Sequence, residues 1–270
     1  MLKQAAKRFL ASNYPQILFT YKAAVMRRRF KAEFSARQAN SRTSLFATGL
    51  PEVLDGPFAG MKYLDEIVWG PIEGKWIGVY ERELHSILAD ALKKPYAAII
   101  DVGSAEGYYA VGLARARPDV RVISYDVDPW SRKQQARLAG LNQVSNLDIR
   151  TFCDHSALEA DLSSRSLLIC DAEGYEYTLL DLARVPALAT TDILVEVHDD
   201  LTLDLNIEAG VRLLLARTSS THRQRVLSCT PRIVDDVSTI VRGKVSDAEL
   251  LTMIDEHRSP AQKWLWLEAH

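Results

Sequence analysis

A glycine-containing turn just after residue 100 carries the first residues that could do chemistry. The segment reads Asp101-Val-Gly103-Ser-Ala-Glu-Gly107 and joins a run of aliphatic residues to a helical pattern. Glycine lets the backbone approach a ligand closely, and the first N–H groups of a helix are free to bind one. The sequence therefore predicts a small-molecule site at this strand-to-helix turn.

The spacing of the turn argues against a dinucleotide as the ligand. The dinucleotide fingerprint has glycines at offsets 0, 2 and 5, where this chain has Gly103, Ala105 and Tyr108. A tyrosine at the third position would block the close helix–strand contact that such a turn requires. NAD is therefore disfavoured.

An acidic residue follows the next aliphatic run. Asp126 ends that run and lies 19 residues after Gly107. A carboxylate at this place can accept hydrogen bonds from both hydroxyls of a ribose. Asp154 ends the third run, although an aspartate directly after a strand is also a common helix N-cap.

A sheet is needed to bring these residues together, and the sequence predicts one. Strands are expected at 97–102, 120–126, 146–152, 166–171 and 192–198, and helices at 107–117, 130–141, 157–163, 173–187 and 201–217. Aliphatic strands that alternate with helices are typical of parallel sheets covered on both faces. With two further strands at 223–229 and 263–269, the predicted fold is α/β, a doubly wound, mostly parallel seven-stranded sheet. Its ligand should lie at the carboxyl ends of the strands.

The motifs together resemble the FkbM-type class I S-adenosylmethionine-dependent methyltransferases. Asp101 followed by G-x-x-x-G is similar to motif I of class I, with Ala105 where a third glycine is usual. LLICDAEGYEYTLLD at 167–181 and ILVEVHDDL at 193–201 are similar to the FkbM signature. GPFAGMKY at 56–63, GVYEREL at 78–84 and the Thr221-His222 pair resemble one bacterial branch. The resemblance begins at about residue 56 and runs to the C-terminus.

The resemblance implies a Rossmann-like fold, S-adenosylmethionine as cofactor, and methylation of a hydroxyl group on a sugar, a polyketide or a related small metabolite. It assigns cofactor binding to Asp101, Gly103, Ser104, Ala105, Gly107, Tyr108, Asp126 and Asp154. Asp154 would lie near the adenine amino group, and this role and the helix cap are weighted equally. Glu173 and His222 are the expected substrate contacts.

Methyl transfer to oxygen requires a group that removes the hydroxyl proton. Asp171 and His198 end adjacent predicted strands and are the expected catalytic residues, with His198 the favoured base because histidine titrates near neutral pH. Each has a structural alternative, since Asp171 could cap the next helix and His198 could be hydrogen-bonded under a loop. Glu176 is interpreted as an acid in the first turns of a helix, where its negative charge interacts favourably with the helix dipole. Glu196 is interpreted as a support for His198, because residues two apart on a strand face the same side.

Three other interpretations stay open at this point. Asp171, Glu173, Asp199 and Asp200 offer hard oxygen ligands, so Mg²⁺ is possible but not favoured. An N-methyltransferase of the same fold would need less help from a base. A catalytically silent nucleotide-binding module would use the basic part of the chain to bind a partner.

That basic part is an N-terminal arm. Residues 1–42 contain ten Lys or Arg and one acid, which gives +9 and leaves −11 for the rest of a chain of net charge −2. A helix broken near Pro15 is predicted, with an apolar stripe at Met26, Phe30 and Phe34. Packing or a homo-oligomer is favoured over a nucleic acid or an anionic membrane. Because every cofactor motif follows residue 100, the arm is expected to be dispensable for cofactor binding.

The chain is expected to divide into three parts. A basic helical arm covers residues 1–44. A turn-rich segment covers 45–95 and includes a helix near 80–93. The methyltransferase-like domain covers 96–270. Residues 231–260 are interpreted as either a lid or a structural insert. Three cysteines without paired spacing make disulfides improbable and favour a reducing cytoplasm.

Overall fold

A seven-stranded sheet forms the centre of the protein in the computed structural model, which describes residues 15–163, 165–200 and 203–270. The strands are β1 Ala98–Val102, β2 Arg121–Tyr125, β3 Leu147–Arg150, β4 Ser166–Cys170, β5 Asp192–Val197, β6 His222–Ser228 and β7 Lys263–Ala269. Their order is β3-β2-β1-β4-β5-β7-β6, and β7 runs antiparallel to both of its neighbours. The predicted doubly wound, mostly parallel seven-stranded sheet is confirmed.

Helices connect the strands and cover both faces of the sheet. They are α1 Pro15–Leu45, α2 Glu73–Ile77, α3 His85–Ala91, α4 Tyr108–Ala116, α5 Pro129–Leu141, α6 His155–Asp161, α7 Glu176–Leu179, α8 Ile207–Thr218, α9 Thr239–Arg242 and α10 Asp247–Ile254. Short 3-10 turns lie at Arg82–Leu84, Pro186–Thr190 and Val234–Asp236. Among the described residues, no helix combines the length and the apolar character needed to cross a membrane.

The central strands are aliphatic because they are buried on both faces. In β1, Ile99 packs into one hydrophobic cluster and Ile100 into the other, on the opposite side of the sheet. All residues of β1, β4 and β5 are buried. Alternate side chains of a strand point to opposite faces, so a strand between two helical layers has no solvent face to make polar.

The site edge of the sheet is fixed where β1 lies between β2 and β4. The amide of Gly103 donates to the Tyr125 carbonyl at 2.8 Å, and that of Asp171 donates to the Val102 carbonyl at 2.9 Å. Gly103 has φ +86°, and a Cβ there would lie 1.7 Å from the Asp171 carbonyl oxygen. The turn after β1 therefore touches the turn after β4, which only glycine permits.

Two predicted helices differ from the structure. The helix expected at 173–187 is reduced to α7 and a 3-10 turn, because Glu173 and Gly174 both have positive φ and helical geometry starts only at Glu176. The helix expected from residue 201 begins at Ile207, where Asn206 caps it by accepting from the Ala209 amide.

The insert at 231–260 contains two short helices, α9 and α10. Val241, Leu250 and Ile254 are buried in the same cluster as Trp76 of the turn-rich segment. Arg232 is 4% exposed and pairs with Glu256 at 2.8 Å. This packing makes the insert part of the core and does not support its interpretation as a lid.

Candidate active site

A cleft opens at the carboxyl ends of the strands, beside β1. Its walls include Gly103 and Ala105 after β1, Asp126 after β2, Phe152 after β3 and Asp171 after β4. Small-molecule sites lie at this place in open α/β sheets. The turns of four neighbouring strands thus form one cavity, as the sequence predicted.

The expected cofactor residues of the first turn divide into two groups. Gly103 and Ala105 line the cleft. Asp101, Ser104, Gly107 and Tyr108 are buried beneath it and shape the turn. The Ser104 hydroxyl donates to the Asp101 carbonyl at 2.7 Å, and burial raises the pKa of the Asp101 carboxyl to about 7.

Tyr108 explains why the turn departs from the dinucleotide pattern. Its ring is 4% exposed and packs edge-on against Phe58, Tyr63 and Tyr80, with ring centroids 5.2, 6.1 and 5.3 Å away. A dinucleotide-binding turn keeps this position small so that the helix can approach the strand. Here an aromatic core fills that space, which supports the argument against NAD.

Asp126 connects the turn after β1 to the turn after β2 through hydrogen bonds, and it faces the cleft. Its Oδ2 accepts from the Ala105 amide and its Oδ1 from the Asp128 amide, both at 2.8 Å. Burial raises the pKa of its carboxyl to about 7. Each carboxylate oxygen has further lone pairs, so Asp126 can also accept hydrogen bonds from a ligand hydroxyl.

Asp154 is observed in one of its two expected roles, that of a helix cap. Its Oδ1 accepts from the Ala157 amide at 2.8 Å at the start of α6, and its side chain is exposed. The cleft wall at the end of β3 is formed by the residues before it, Thr151, Phe152 and Cys153.

The expected substrate contact of His222 does not fit its position. Its Nε2 lies 2.9 Å from the carbonyl oxygen of Thr191, directly before β5, and the residue pairs with Ala269 at the end of β7. Because β6 runs in the same direction as β5, its first residue lies at the amino edge of the sheet. His222 is thus at the opposite edge from the cleft, and we correct that assignment. Glu173, in contrast, lines the cleft.

Asp171 and His198 meet at the ends of β4 and β5, as their positions in the sequence predicted. The His198 Nε2 lies 3.4 Å from Asp171 Oδ1 and 3.8 Å from Glu196 Oε2. Its Nδ1 lies 3.2 Å from Glu176 Oε1, which also accepts from the His198 amide at 2.8 Å. The imidazole therefore lies between three carboxyl groups.

These carboxyl groups set the protonation state of His198. Burial by itself lowers the pKa of the imidazole, but Glu176, Glu196 and Asp171 favour the cation and together raise the pKa to about 10. The pKa of Asp171 is raised by burial to about 6, and the charge of His198 opposes that rise. The contacts thus favour a protonated His198 beside an ionised Asp171, which does not fit His198 as the resting base.

Glu176 has a role that the helix-dipole interpretation missed. Its side chain is fully buried, and its Oε2 accepts from the Gly174 amide at 2.8 Å while its Oε1 contacts His198. A glutamate in the first turn of a helix gives the same sequence signal whether it faces solvent or a buried imidazole. Only the contact with β5, 22 residues further along the chain, distinguishes the two cases.

Arg258 connects the site to distant parts of the chain. Its Nη1 donates to Glu196 Oε1 at 2.8 Å, and its Nη2 donates to Glu81 and to the Tyr80 hydroxyl. Burial raises the pKa of Glu196 to about 8 and that of Glu81 to about 7. No motif included Arg258, and the GVYEREL motif gave Glu81 no role, because their pairing joins segments 177 residues apart.

The residues that lie close enough to share a metal ion differ from the set that the sequence predicted. Within the described ranges, the acidic and histidine side chains close enough to share an ion are Asp171, Glu196 and His198. They are not the expected set of Asp171, Glu173 and Asp199. Glu196 is already paired with Arg258 at 2.8 Å, so a cation at this place would have to compete with a buried guanidinium group.

The N-terminal arm reaches the cleft, which the sequence did not predict. Phe19, Lys22 and Ala23 of α1 line it together with Trp69. Lys22 forms an ion pair with Glu173. The expectation that the arm is dispensable for cofactor binding remains a prediction, but part of the arm shares the cleft with Gly103 and Asp126.

Comparison with known proteins finds a likeness to solved methyltransferase structures at low identity. No known protein family and no curated protein matches the chain. Three solved methyltransferase structures resemble it at 11–14% identity. The O-methyltransferase TomG from Streptomyces achromogenes, solved with S-adenosylmethionine, has a TM-score of 0.43 over 70% of this chain and 79% of its own. A putative O-methyltransferase from Klebsiella pneumoniae has a TM-score of 0.46 over 92% of this chain and 100% of its own. An rRNA methylase from Streptococcus thermophilus has a TM-score of 0.45 over 70% of this chain and 97% of its own.

The charge state of His198 is open to direct measurement. We expect both ring nitrogens of His198 to carry protons at pH 7.5 in ¹⁵N NMR spectra, because the surrounding carboxyl groups raise its pKa to about 10. His85 is the internal control, since burial lowers its pKa and keeps it neutral. The stability that His198 adds should be complete below its ordinary pKa of about 6.5 and decline as the pH approaches 10. A neutral His198 ring at pH 7.5 would contradict this description.

Proposed function

We propose that this protein is an S-adenosylmethionine-dependent methyltransferase that methylates a hydroxyl group of a small metabolite. The observation that carries the proposal is the convergence of Gly103, Asp126 and Asp171 on one cleft of a sheet with the class I strand order. The glycine turn, the ribose-binding acid and the candidate base then face the same cavity.

The residues of the cleft fit S-adenosylmethionine. Asp126 offers carboxylate oxygens for the two ribose hydroxyls, and Phe152 with Tyr175 offers aromatic surface for a purine ring. Gly103 has no side chain at the point where the two turns touch. Asp126 and Asp171 place carboxyl groups in the wall of the cleft, and such groups suit a positively charged sulfonium.

When bound, S-adenosylmethionine supplies a methyl group on a positively charged sulfur. Asp171 is placed to accept the hydroxyl proton while the new carbon–oxygen bond forms and the carbon–sulfur bond breaks. Its pKa of about 6 leaves it ionised at neutral pH, and it lies where the turns after β1 and β4 meet. A base positioned in this way is typically worth 10²–10⁴-fold in rate.

In this mechanism His198 does not remove the hydroxyl proton itself. It positions Asp171 and favours the ionised form of its carboxyl group. A cationic imidazole 3.4 Å from the carboxylate lowers the pKa of Asp171 and opposes the effect of burial. Glu176 holds that imidazole through both its ring and its backbone amide. Glu173, in the same wall, is the expected contact for the acceptor.

The cofactor assignment predicts a defined loss on Asp126→Ala. The variant removes the carboxylate that accepts the ribose hydroxyls, so the binding free energy of S-adenosylhomocysteine should weaken by about 1.5–3 kcal/mol, a typical value for hydrogen bonds to a charged group. Isothermal titration calorimetry measures it. Asp90→Ala, at an exposed aspartate on α3, is the control and should bind as the wild type does. Measurable binding of NAD, or an unchanged affinity in Asp126→Ala, would refute the assignment.

The base assignment predicts how turnover depends on Asp171 and on pH. We expect Asp171→Asn to lower turnover by about 10²–10⁴-fold while the affinity for S-adenosylhomocysteine changes far less. Asp181→Asn, outside the cleft, is the matched control. Wild-type turnover should fall below pH 6, as Asp171 becomes protonated, and stay level up to pH 9.

Two results would redirect this proposal. Turnover that keeps rising toward pH 10 would make His198 the base, since its pKa is about 10. Turnover that is retained in Asp171→Asn with an amine acceptor would indicate N-methylation, because a neutral amine can attack without first losing a proton.

A further inference from the structure

The first half of α1 lies across the mouth of the cleft, held by contacts to the turns that bind the cofactor in the proposed function. The Thr20 hydroxyl donates to the Val127 carbonyl at 3.2 Å, directly after Asp126. Lys22 pairs with Glu173 after β4, and Arg27 pairs with Asp128 after β2. These contacts bridge the two sides of the cleft with one helix.

The side chains of this half of α1 divide into two faces. Phe19, Lys22 and Ala23, spaced i, i+3 and i+4, line the cleft. Tyr21 is 68% exposed on another face of the helix. The orientation is set by the second half of α1, where Phe34 and Leu45 are buried against the body of the protein.

Phe19 extends an aromatic group that already lines the cleft. Its ring meets Tyr175 edge-on, with centroids 6.4 Å apart at 66°, and Tyr175 packs on Phe152 at 5.3 Å. Phe152 follows β3, on the side of the cleft where the adenine ring lies in the proposed function. Aromatic side chains are suited to cover a purine because they offer a large apolar surface at little cost in conformational entropy.

We propose that Phe19 and Ala23 of α1 form the outer wall of the cofactor site, with Phe19 covering the adenine end. This inference rests on the proposed function and adds a part of the chain that no cofactor motif includes. Lys22 positions the wall by its ion pair with Glu173. Because the cofactor and the docked helix share this surface, binding of one stabilises the other.

The test compares side chains on the two faces of the same helix. S-adenosylhomocysteine is titrated into the full-length protein by calorimetry, with Phe19→Ala set against Tyr21→Ala. We expect Phe19→Ala to weaken binding by about 5- to 10-fold, a typical worth of one aromatic contact, and Tyr21→Ala to change it less than twofold. Melting temperatures of both variants show that they are folded.

A second pair of variants keeps the test independent of lost packing. Ala23→Phe places a ring in the cleft and should weaken binding of S-adenosylhomocysteine by at least about 10-fold because the ring occupies part of the cavity. Ala32→Phe adds the same ring at an exposed position of α1 and should have no effect. Amide exchange over residues 16–27 should also slow when S-adenosylhomocysteine binds.

The outcomes separate this inference from the proposed function. Wild-type affinity in both Phe19→Ala and Ala23→Phe, with unchanged amide exchange, would overturn the role of α1 even if Asp126→Ala still weakens binding. No binding of S-adenosylhomocysteine by the wild type would overturn both.

Discussion

The site depends on the neutralisation of buried carboxyl groups at the ends of β4 and β5. Glu81, Glu176 and Glu196 are each at most 1% exposed, and Asp171 lies beside them in the cleft wall. Such a cluster is unstable unless cations or hydrogen-bond donors compensate it. Arg258 and His198 supply the positive charge, and both contact more than one carboxyl group.

This compensation explains why the turn-rich segment and the insert are part of the site. Glu81 comes from the segment before the sheet, and Arg258 comes from the insert before β7. Both must pack on the sheet before the charges around Asp171 are balanced. The same network determines the chemistry, since it makes His198 a cation and leaves Asp171 as the group that can accept a proton at neutral pH.

The sequence predicted those features that follow from local pattern. Aliphatic strands alternating with helices specify a parallel sheet, and residues directly after its strands must meet at one edge. Asp126, Asp171 and His198 were found in this way. His222 was misassigned because its role came only from the resemblance of the Thr221-His222 pair, whereas β6 runs parallel to β5 and its first residue lies at the amino edge of the sheet, opposite the cleft.

Contacts between distant segments could not be predicted from one sequence. Glu176 reads as an ordinary helix-start acid, Arg258 lies in a loop without a motif, and Phe19 belongs to a helix whose apolar stripe indicated only packing. The charge of His198 was missed for the same reason, because it depends on three carboxyl groups brought together by folding. Charge states and cavity walls are properties of the assembled edge of the sheet.

A crystal structure of the protein with S-adenosylhomocysteine would show whether the cleft is the cofactor site. We expect the ligand to lie in the cleft with its ribose hydroxyls within hydrogen-bond distance of the Asp126 carboxylate. Its sulfur should then lie beside Gly103 and face Asp171. A ligand bound elsewhere, or one whose sulfur is separated from Asp171 by the rest of the cleft, would contradict the account.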